Sequence, residues 1–253
     1  MKNIDAFLVA LKFLTRLPIK GGGNSPEAWR RSVAYFPLVG LILGIIMAGV
    51  WQALVWVPAL PRAGLILALA VFLSGGLHLD GFIDSMDGLL SGRDRERILA
   101  IMKDSHVGAH GVTAVVTLLL IKFSLLAVLP PGHLQVAGLA LPPALVLMPV
   151  LGRWAMVPAL TCFPYVRREG LGVLFQAGGG RRNLIYSTFV AALLAWLIMG
   201  PAGLFYLFLT ALVSLAWCGW IRRLLGGMTG DTYGALAEIA EVFFLVVYCL
   251  RTC

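Results

Sequence analysis

The amino-acid sequence predicts an all-α protein, a polytopic helical bundle integral to a membrane. Hydrophobic residues make up 60% of the 253 residues and charged residues only 13%, and the mean hydropathy is +0.91. A water-soluble domain needs a polar exterior, and this composition supplies too few polar residues to cover one. Because no stretch is both long and polar enough to fold as a separate aqueous unit, residues 1–253 are expected to form a single membrane-embedded domain.

About seven apolar segments are long enough to be transmembrane helices, since roughly 20 helical residues cross the hydrocarbon core. They are residues 33–57, 63–79, 112–129, 135–151, 184–200, 202–221 and 234–250. The fourth segment contains Pro142, Pro143 and Pro149. Because proline interrupts the hydrogen bonds of a helix, we expect this segment to be kinked or re-entrant.

The N-terminal residues 3–17 predict an amphipathic helix. Its apolar residues recur at helical spacing and share one face, which consists of Ile4, Phe7, Leu8, Leu11 and Leu14. Lys12 lies off that face. This pattern is typical of a helix that lies in the membrane interface as an anchor and does not cross the bilayer.

The basic residues indicate an orientation in the membrane. All but three of the 20 Lys and Arg residues lie at the N-terminus or in alternate loops, the exceptions being Arg62, Lys122 and Arg251. Short positively charged loops stay in the cytoplasm, so the N-terminus is predicted to be cytoplasmic and the C-terminus to lie on the far side. The net charge of +8 is thereby explained without a nucleic-acid partner, since no basic stripe is present.

Half of the 12 acidic residues fall between positions 80 and 104. Asp80, Asp84 and Asp87 are spaced i, i+4 and i+7, which places three carboxylates on one face of a helix. Like charges so close repel one another unless a cation compensates them. The four cysteines contain no C-x-x-C pair, so a hard, oxygen-preferring ion is expected, magnesium (Mg²⁺) or alternatively Mn²⁺.

The alternative for these acids is a structural role, in which a carboxylate caps a helix or pairs with a nearby arginine in a solvated loop. We favour this role for Asp94 and Glu96, which lie within the basic run 93–97. We favour a metal for Asp80, Asp84 and Asp87.

The residues next to the acidic helix suit phosphate chemistry. Lys103 and Ser105 are expected to contact a phosphate, with Asp104 as a further metal ligand. His78 is adjacent to the carboxylates and is a candidate general base or supporting residue.

A second candidate region is formed by residues 226–231 (GGMTGD), directly before the last apolar segment. Glycines that open a helix leave free N–H groups that suit a phosphate. Asp231, Glu238 and Glu241 then share roughly one face of the following helix. Carboxylates inside a membrane helix indicate an inward-facing functional role, and the alternative is pairing with Arg153, Arg222 or Arg223.

The order of these motifs resembles the cobalamin synthase (adenosylcobinamide-GDP ribazoletransferase) family. The residues that carry the resemblance are 75–81 (GGLHLDG) and 84–88 (DSMDG), with 13–18 (FLTRLP), 101–105 (IMKDS) and 227–231 (GMTGD). The resemblance extends from the N-terminal helix to the last span, and so covers the whole chain.

The resemblance implies a Mg²⁺-dependent transferase that joins adenosylcobinamide-GDP to α-ribazole or α-ribazole 5′-phosphate. The products would be adenosylcobalamin or its 5′-phosphate and GMP, in a late step of nucleotide loop assembly. The protein would lie in the cytoplasmic (inner) membrane of a bacterium or archaeon, with its active site facing the cytoplasm. Its partners would be these substrates and the lipid bilayer, and a homo-oligomer is compatible with the sequence.

The resemblance also implies roles for individual residues. Catalysis would fall to Asp80, Asp84, Asp87 and His78. The metal ions, one or two, would be held by Asp80, Asp84, Asp87, Asp104 and Asp231. The substrates would contact Arg16, Lys103, Ser105, Thr229 and Gly230.

Two other functions share part of this pattern. Residues 84–88 (DSMDG) also resemble the start of the CDP-alcohol phosphatidyltransferase motif, but Ser91 and Gly92 stand where that motif has Ala and Arg. A cation-coupled transporter would carry acids near the centres of its spans, and only Glu238 and Glu241 meet that condition. Both therefore rank below the transferase.

Overall fold

The protein is a helical bundle in a computed structural model that describes residues 2–23, 25–132, 134–136, 138–176 and 180–252. The helices within these ranges are α1 (Lys2–Leu14), α2 (Pro26–Ser32), α3 (Phe36–Ala53), α4 (Ala59–Ser74), α5 (Leu77–Leu89), α6 (Arg95–Ile101), α7 (Ala109–Ala127), α8 (Pro143–Cys162), α9 (Leu171–Gln176), α10 (Gly180–Met199), α11 (Pro201–Leu225) and α12 (Gly230–Thr252). A 3₁₀ turn, Val33–Tyr35, joins α2 to α3. The strands are β1 (Leu134–Val136) and β2 (Leu139–Leu141).

Six helical segments of the described chain are long and apolar enough to cross a membrane. They are Pro26–Ala53, Ala109–Ala127, Pro143–Cys162, Gly180–Met199, Pro201–Leu225 and Gly230–Thr252. Helices α4 and α5 together qualify as a seventh candidate, although they are bent by 91° relative to each other. The predicted all-α, polytopic membrane architecture of about seven spans is therefore confirmed.

The bend between α4 and α5 occurs at two glycines. Gly75 and Gly76 both adopt left-handed backbone conformations, with φ of 64° and 71°. Residues with a side chain rarely adopt this conformation, so the pair ends α4 and lets the chain turn sharply. A Cβ atom on Gly75 would also collide with the side chain of Arg16. The predicted span 63–79 thus ends at Ser74, and the acidic residues that follow belong to a separate helix.

The prediction of a helix from residue 135 to 151 was wrong in its first half. β1 and β2 form an antiparallel hairpin in which Leu134 is opposite Leu141, and the helix begins only at Pro143. Gly138 has a φ of 81°, which favours a turn. Pro142 and Pro143 cannot donate the hydrogen bonds of an established helix, but they are well suited to its start. Helix α8 therefore extends to Cys162, beyond the predicted end.

The centre of the bundle is α8, whose side chains are almost all buried. Helix α3 packs closely against it through glycines: a Cβ atom on Gly40 would collide with the backbone of Pro149, and one on Gly44 with the backbone of Val146. Small residues of this kind let membrane helices approach closely and gain van der Waals contact. Helix α12 packs on α8 from another side, through the close contact of Gly152 with Glu241.

The predicted N-terminal helix is present as α1. Its buried side includes Ala6, Ala10 and Leu14, each 0% exposed, and it joins the core beside α3. Ile4 was expected on the apolar face but is 64% exposed. Ala6 and Ala10 are small enough to let α1 lie close to its neighbours, while the larger Val9, Leu11 and Leu14 are buried on the same helix.

Candidate active site

The predicted acidic helix is α5, and it contains all three of the predicted carboxylates. Their environments differ. Asp80 is exposed, Asp84 is half-buried, and Asp87 is 8% exposed. The three carboxylates therefore share one face of α5, and their exposure to solvent decreases from Asp80 to Asp87.

Helix α5 packs against the start of α12 through small residues. A Cβ atom on Gly81 would lie 2.9 Å from the backbone oxygen of Asp231, and one on Gly234 would lie 3.2 Å from the Cα atom of His78. A side chain at Gly81 would collide with α12, and one at Gly234 would fit only if its neighbours shifted. The close contact brings the carboxylate of Asp231 next to the acidic face of α5, although the two helices are distant in sequence.

Negative charge exceeds positive charge around Asp84. Asp84 is repelled by Asp231, Asp80 and Asp87, whereas Arg167 supplies the attraction. The Nη2 atom of Arg167 lies 2.6 Å from the Oδ2 atom of Asp231. One guanidinium group, already paired, therefore faces several carboxylates. We refer to Asp80, Asp84 and Asp231 as the carboxylate face.

Asp87 differs from the carboxylate face because its oxygen atoms are already engaged. The backbone N–H groups of Gly108 and Gly111 each donate a hydrogen bond of 2.7 Å to its carboxylate. These groups belong to the N-terminus of α7, where a negative charge is stabilised by the helix dipole. A Cβ atom on either glycine would collide with the carboxylate. Asp87 thus joins α5 to α7, a structural role that its spacing did not indicate.

Asp104, Lys103 and Ser105 all lie in the exposed loop between α6 and α7. The Oδ1 atom of Asp104 accepts a 3.0 Å hydrogen bond from the backbone N–H of His106 and lies 2.6 Å from its Nδ1 atom. These hydrogen bonds lower the pKa of Asp104. The loop borders an open, polar cavity of about 700 Å³, whose lining includes Asp87, Arg93, Arg97, Asp104 and His110.

Thr229 and Gly230 stand where the sequence predicted a phosphate site. Thr229 is 0% exposed. Its N–H donates to the hydroxyl of Thr232 at 2.8 Å, and the N–H of Thr232 donates back to its hydroxyl at 3.2 Å. This reciprocal arrangement caps α12, so the Thr229 side chain is used within the fold. Gly230 is exposed and remains accessible to a ligand.

The two remaining predicted site residues, His78 and Arg16, do not belong to the carboxylate face. His78 is 2% exposed, and neither of its ring nitrogens has a hydrogen-bond partner among the described residues. Arg16 is exposed, and its side chain lies over Gly75. In the described part of the chain, no three His, Cys, Asp or Glu side chains converge closely enough to hold a metal ion.

Arg167 is a residue of the candidate site that the sequence did not predict. It belongs to the connection between α8 and α9, which is fixed to the segment before α12: the N–H of Met228 donates to the oxygen of Pro164 at 2.7 Å, and the N–H of Val166 donates to the oxygen of Met228 at 2.9 Å. A side chain on Gly227 would collide with Pro164. The polar residues at 167–169, after a long apolar segment, were the available signal.

The acids deeper in α12 form ion pairs. Lys122 lies 2.9 Å from Glu238 and also pairs with Glu241, which in turn pairs with Arg153. We call these four residues the buried charge cluster. The alternative that these acids pair with Arg153 therefore holds for Glu241, and Lys122 is an additional partner that was not foreseen.

Comparisons with known proteins agree over almost the entire chain. The model of the cobalamin-5-phosphate synthase family matches residues 6–249. A protein of Desulfitobacterium hafniense (strain Y51) named adenosylcobinamide-GDP ribazoletransferase is 41% identical, covering 97% of each chain. Proteins of the same name from Roseiflexus sp. (strain RS-1) and Pseudomonas paraeruginosa (strain DSM 24068 / PA7) are 43% and 41% identical, over 95% and 98% of this chain and 88% and 98% of theirs. No solved structure gives a significant match. This chain belongs to the cobalamin-5-phosphate synthase family.

Proposed function

We propose that this protein is an adenosylcobinamide-GDP ribazoletransferase, which joins adenosylcobinamide-GDP to α-ribazole or α-ribazole 5′-phosphate and releases GMP. The observation that carries the proposal is the carboxylate face. Its acids repel one another beside one paired arginine, in a chain whose relatives bear this name. Such an excess of negative charge is costly unless a cationic ligand compensates it.

The proposed reaction transfers a phosphoryl group from a diphosphate to a hydroxyl group, so that a phosphodiester forms as a phosphoanhydride bond breaks. A ribose hydroxyl oxygen of the ribazole forms a bond to the phosphorus next to the cobinamide, and the bond from that phosphorus to the oxygen of GMP breaks. The hydroxyl proton passes to a carboxylate of the face, for which the exposed Asp80 is the most accessible. Arg167, which lies between solvent and interior, stabilises negative charge on the phosphate oxygens.

We propose that Asp80, Asp84 and Asp231 supply ligands to Mg²⁺, or alternatively Mn²⁺, when the substrate is bound. Their carboxylates do not converge on one point in this structure, so substrate phosphates would complete the coordination. Carboxylate oxygens are the ligands such ions prefer, and the excess negative charge at Asp84 fits a cation. Bound there, the ion would neutralise the charge of the diphosphate. Asp87 fits this role less well, because two N–H groups occupy its oxygens. Asp104 also fits less well, because it hydrogen-bonds within its exposed loop.

The substrate contacts in this proposal come from exposed groups around the face. Lys103 and Ser105 are exposed beside the polar cavity, where a nucleotide phosphate could bind. Arg16 is exposed near the bend between α4 and α5. Gly230 is exposed at the start of α12, but its N–H already donates a hydrogen bond to the hydroxyl of Tyr165, so it would meet the substrate by packing only.

We also propose a position in the cell. The distribution of Lys and Arg over alternate loops supports a cytoplasmic N-terminus and an active site at the cytoplasmic surface of a bacterial inner membrane. This location suits the substrates, because a charged nucleotide conjugate does not enter the hydrocarbon core.

The test is GMP release and cobalamin formation by the purified protein in detergent, with adenosylcobinamide-GDP and α-ribazole, with and without Mg²⁺. We expect Mg²⁺-dependent turnover that Asp84→Asn lowers roughly 100-fold or more. Glu96→Gln, which removes an exposed acid from α6, is the matched control and should retain activity. A folded wild-type protein that releases no GMP but forms product from a radiolabelled CDP-lipid would overturn the proposal.

A further inference from the structure

A second cavity, of about 260 Å³, adjoins the carboxylate face. We call it the aromatic pocket. Five aromatic rings line it, contributed by Phe13, Phe36, Tyr165, Phe175 and Tyr233. Asp80, Arg167 and Asp231 line the same cavity. The pocket therefore combines an apolar wall with the groups that we assign to the reaction.

The rings of the pocket form two groups. Phe175 is the centre of one, with ring centroids 5.2 Å from Phe13 and 6.0 Å from Phe36. The other is the pair of Tyr165 and Tyr233, which are stacked with centroids 6.2 Å apart and planes within 13°. Walls of this kind favour a flat, largely apolar ring system, because such a ligand buries its faces against them.

His78 is a buried polar residue of the pocket. It lines the cavity, is 2% exposed, and has no hydrogen bond from either ring nitrogen within the described chain. A buried polar group without a partner is unfavourable and calls for an explanation. A ligand that accepts a hydrogen bond in the pocket would supply the missing partner.

The two substrates of the proposed reaction carry different bases. Guanine has donors and acceptors around most of its edge, and those that face the aromatic wall would be left without partners, which is costly. The benzimidazole base of ribazole has an apolar carbocyclic edge and one unsubstituted ring nitrogen, which accepts a single hydrogen bond. The stacked rings of the pocket and the buried N–H donor of His78 match the benzimidazole.

On the basis of the proposed function, we infer that the aromatic pocket binds the benzimidazole base of ribazole, with an N–H of His78 donating to its free ring nitrogen. The ring of His78 turns towards the cavity to make this bond, since its nitrogens are covered by protein atoms in this structure. The ribose then extends towards Asp80 and Asp231, which line the same cavity. In this inference His78 is a binding residue that selects the base, and it does not transfer the proton.

The inference is tested by steady-state kinetics on the purified protein with α-ribazole and with its indole analogue, in which the free ring nitrogen is replaced by C–H. Loss of one hydrogen bond should raise the KM of the wild-type protein for the analogue about tenfold. His78→Phe should raise the KM for α-ribazole by a similar factor and should not distinguish the two compounds. The KM for adenosylcobinamide-GDP should change less than about twofold, because that substrate does not contact His78 in this inference. His78→Gln, which keeps an N–H donor, should restore part of the discrimination.

Failure of this inference can be separated from failure of the proposed function. A wild-type protein that turns over both compounds with equal KM, or a His78→Phe variant that weakens only adenosylcobinamide-GDP, would overturn the assignment of the pocket while leaving the transferase intact. If His78→Phe does not fold, the wild-type comparison with the analogue still decides. A folded protein that neither binds α-ribazole by tryptophan fluorescence titration nor releases GMP would overturn both.

Discussion

Two groups of charged residues in the protein differ in charge balance and in exposure to solvent. The buried charge cluster consists of two basic and two acidic residues, Lys122, Arg153, Glu238 and Glu241, each 6% exposed or less and each paired. The carboxylate face has Asp80, Asp84 and Asp231 beside one arginine, Arg167, and it is partly open to solvent. Both groups include residues of α12.

The difference indicates that the acidic residues of α12 have two roles: Glu238 and Glu241 stabilise the fold, whereas Asp231 is suited to bind a ligand. Charges in the membrane interior are tolerated when they are balanced and paired, and the cluster satisfies that condition by itself. The carboxylate face is not balanced by the described protein groups, so it is suited to a positively charged ligand. Position in the chain alone would not make this distinction, because Asp231 and Glu238 are two helical turns apart.

The largest effect is expected from breaking the cluster. Glu241→Gln should lower the free energy of unfolding by about 3–5 kcal/mol, because it leaves Arg153 buried beside a neutral partner. Thermal unfolding in detergent would measure this. The matched control is Glu27→Gln, which breaks an exposed pair with Arg31 of 2.6 Å and should cost at most about 1 kcal/mol. Equal losses in the two variants would remove the distinction between the cluster and a surface ion pair.

A smaller effect, and one on activity, is expected from Arg167→Ala. The variant removes the 2.6 Å pair with Asp231 and makes the carboxylate face more negative. GMP release should fall about tenfold to a hundredfold, since hydrogen bonds between charged groups are worth about 1.5–3 kcal/mol. Arg168→Ala, an exposed neighbour, is the control. An unchanged rate of GMP release in Arg167→Ala would show that this arginine does not contribute to the active site.

Two carboxylates one turn apart on α5 should respond differently to the same change. Asp87→Ala removes the cap of α7 and should lower stability by about 1–2 kcal/mol. Asp84→Ala should leave stability unchanged or raise it, because it relieves repulsion among carboxylates. Chemical or thermal unfolding of both variants gives the comparison. Destabilisation by Asp84→Ala as large as that by Asp87→Ala would show that Asp84 also has a structural role.

The smallest effect is expected from Asp104→Asn. Its carboxylate is 57% exposed and bonds to His106 in the same loop, so an amide should replace it with little change in the unfolding temperature. GMP release should fall less than about threefold, because exposed charge contacts contribute little. A loss comparable to that of Asp84→Asn would instead support Asp104 as a metal ligand.

Features that lie within a single helix, such as residue spacing and apolar length, were predictable from the sequence. The i, i+4, i+7 spacing correctly places Asp80, Asp84 and Asp87 on α5, and the apolar segments locate most spans. The spacing does not show what each carboxylate meets. Asp87 turned out to contact the N-terminus of α7, because that contact depends on how two helices pack.

Features assembled from distant segments were not predictable. Phe13, Phe36, Phe175 and Tyr233 belong to four different helices, and their common pocket exists only in the folded bundle. The hairpin at 134–141 was also missed, since a short apolar run fits a strand as well as a helix by composition alone. Two consecutive prolines after it were the local signal that a helix starts there and does not continue.

The central claim is that the carboxylate face, and not the other acids of the protein, binds the divalent ion. Electron paramagnetic resonance titration with Mn²⁺ measures this binding directly, without turnover. With adenosylcobinamide-GDP bound and no ribazole present, we predict saturable Mn²⁺ binding by the wild-type protein in detergent, weakened about tenfold or more in Asp84→Asn and unchanged in Glu96→Gln. Equal Mn²⁺ affinity in wild type and Asp84→Asn would contradict the account.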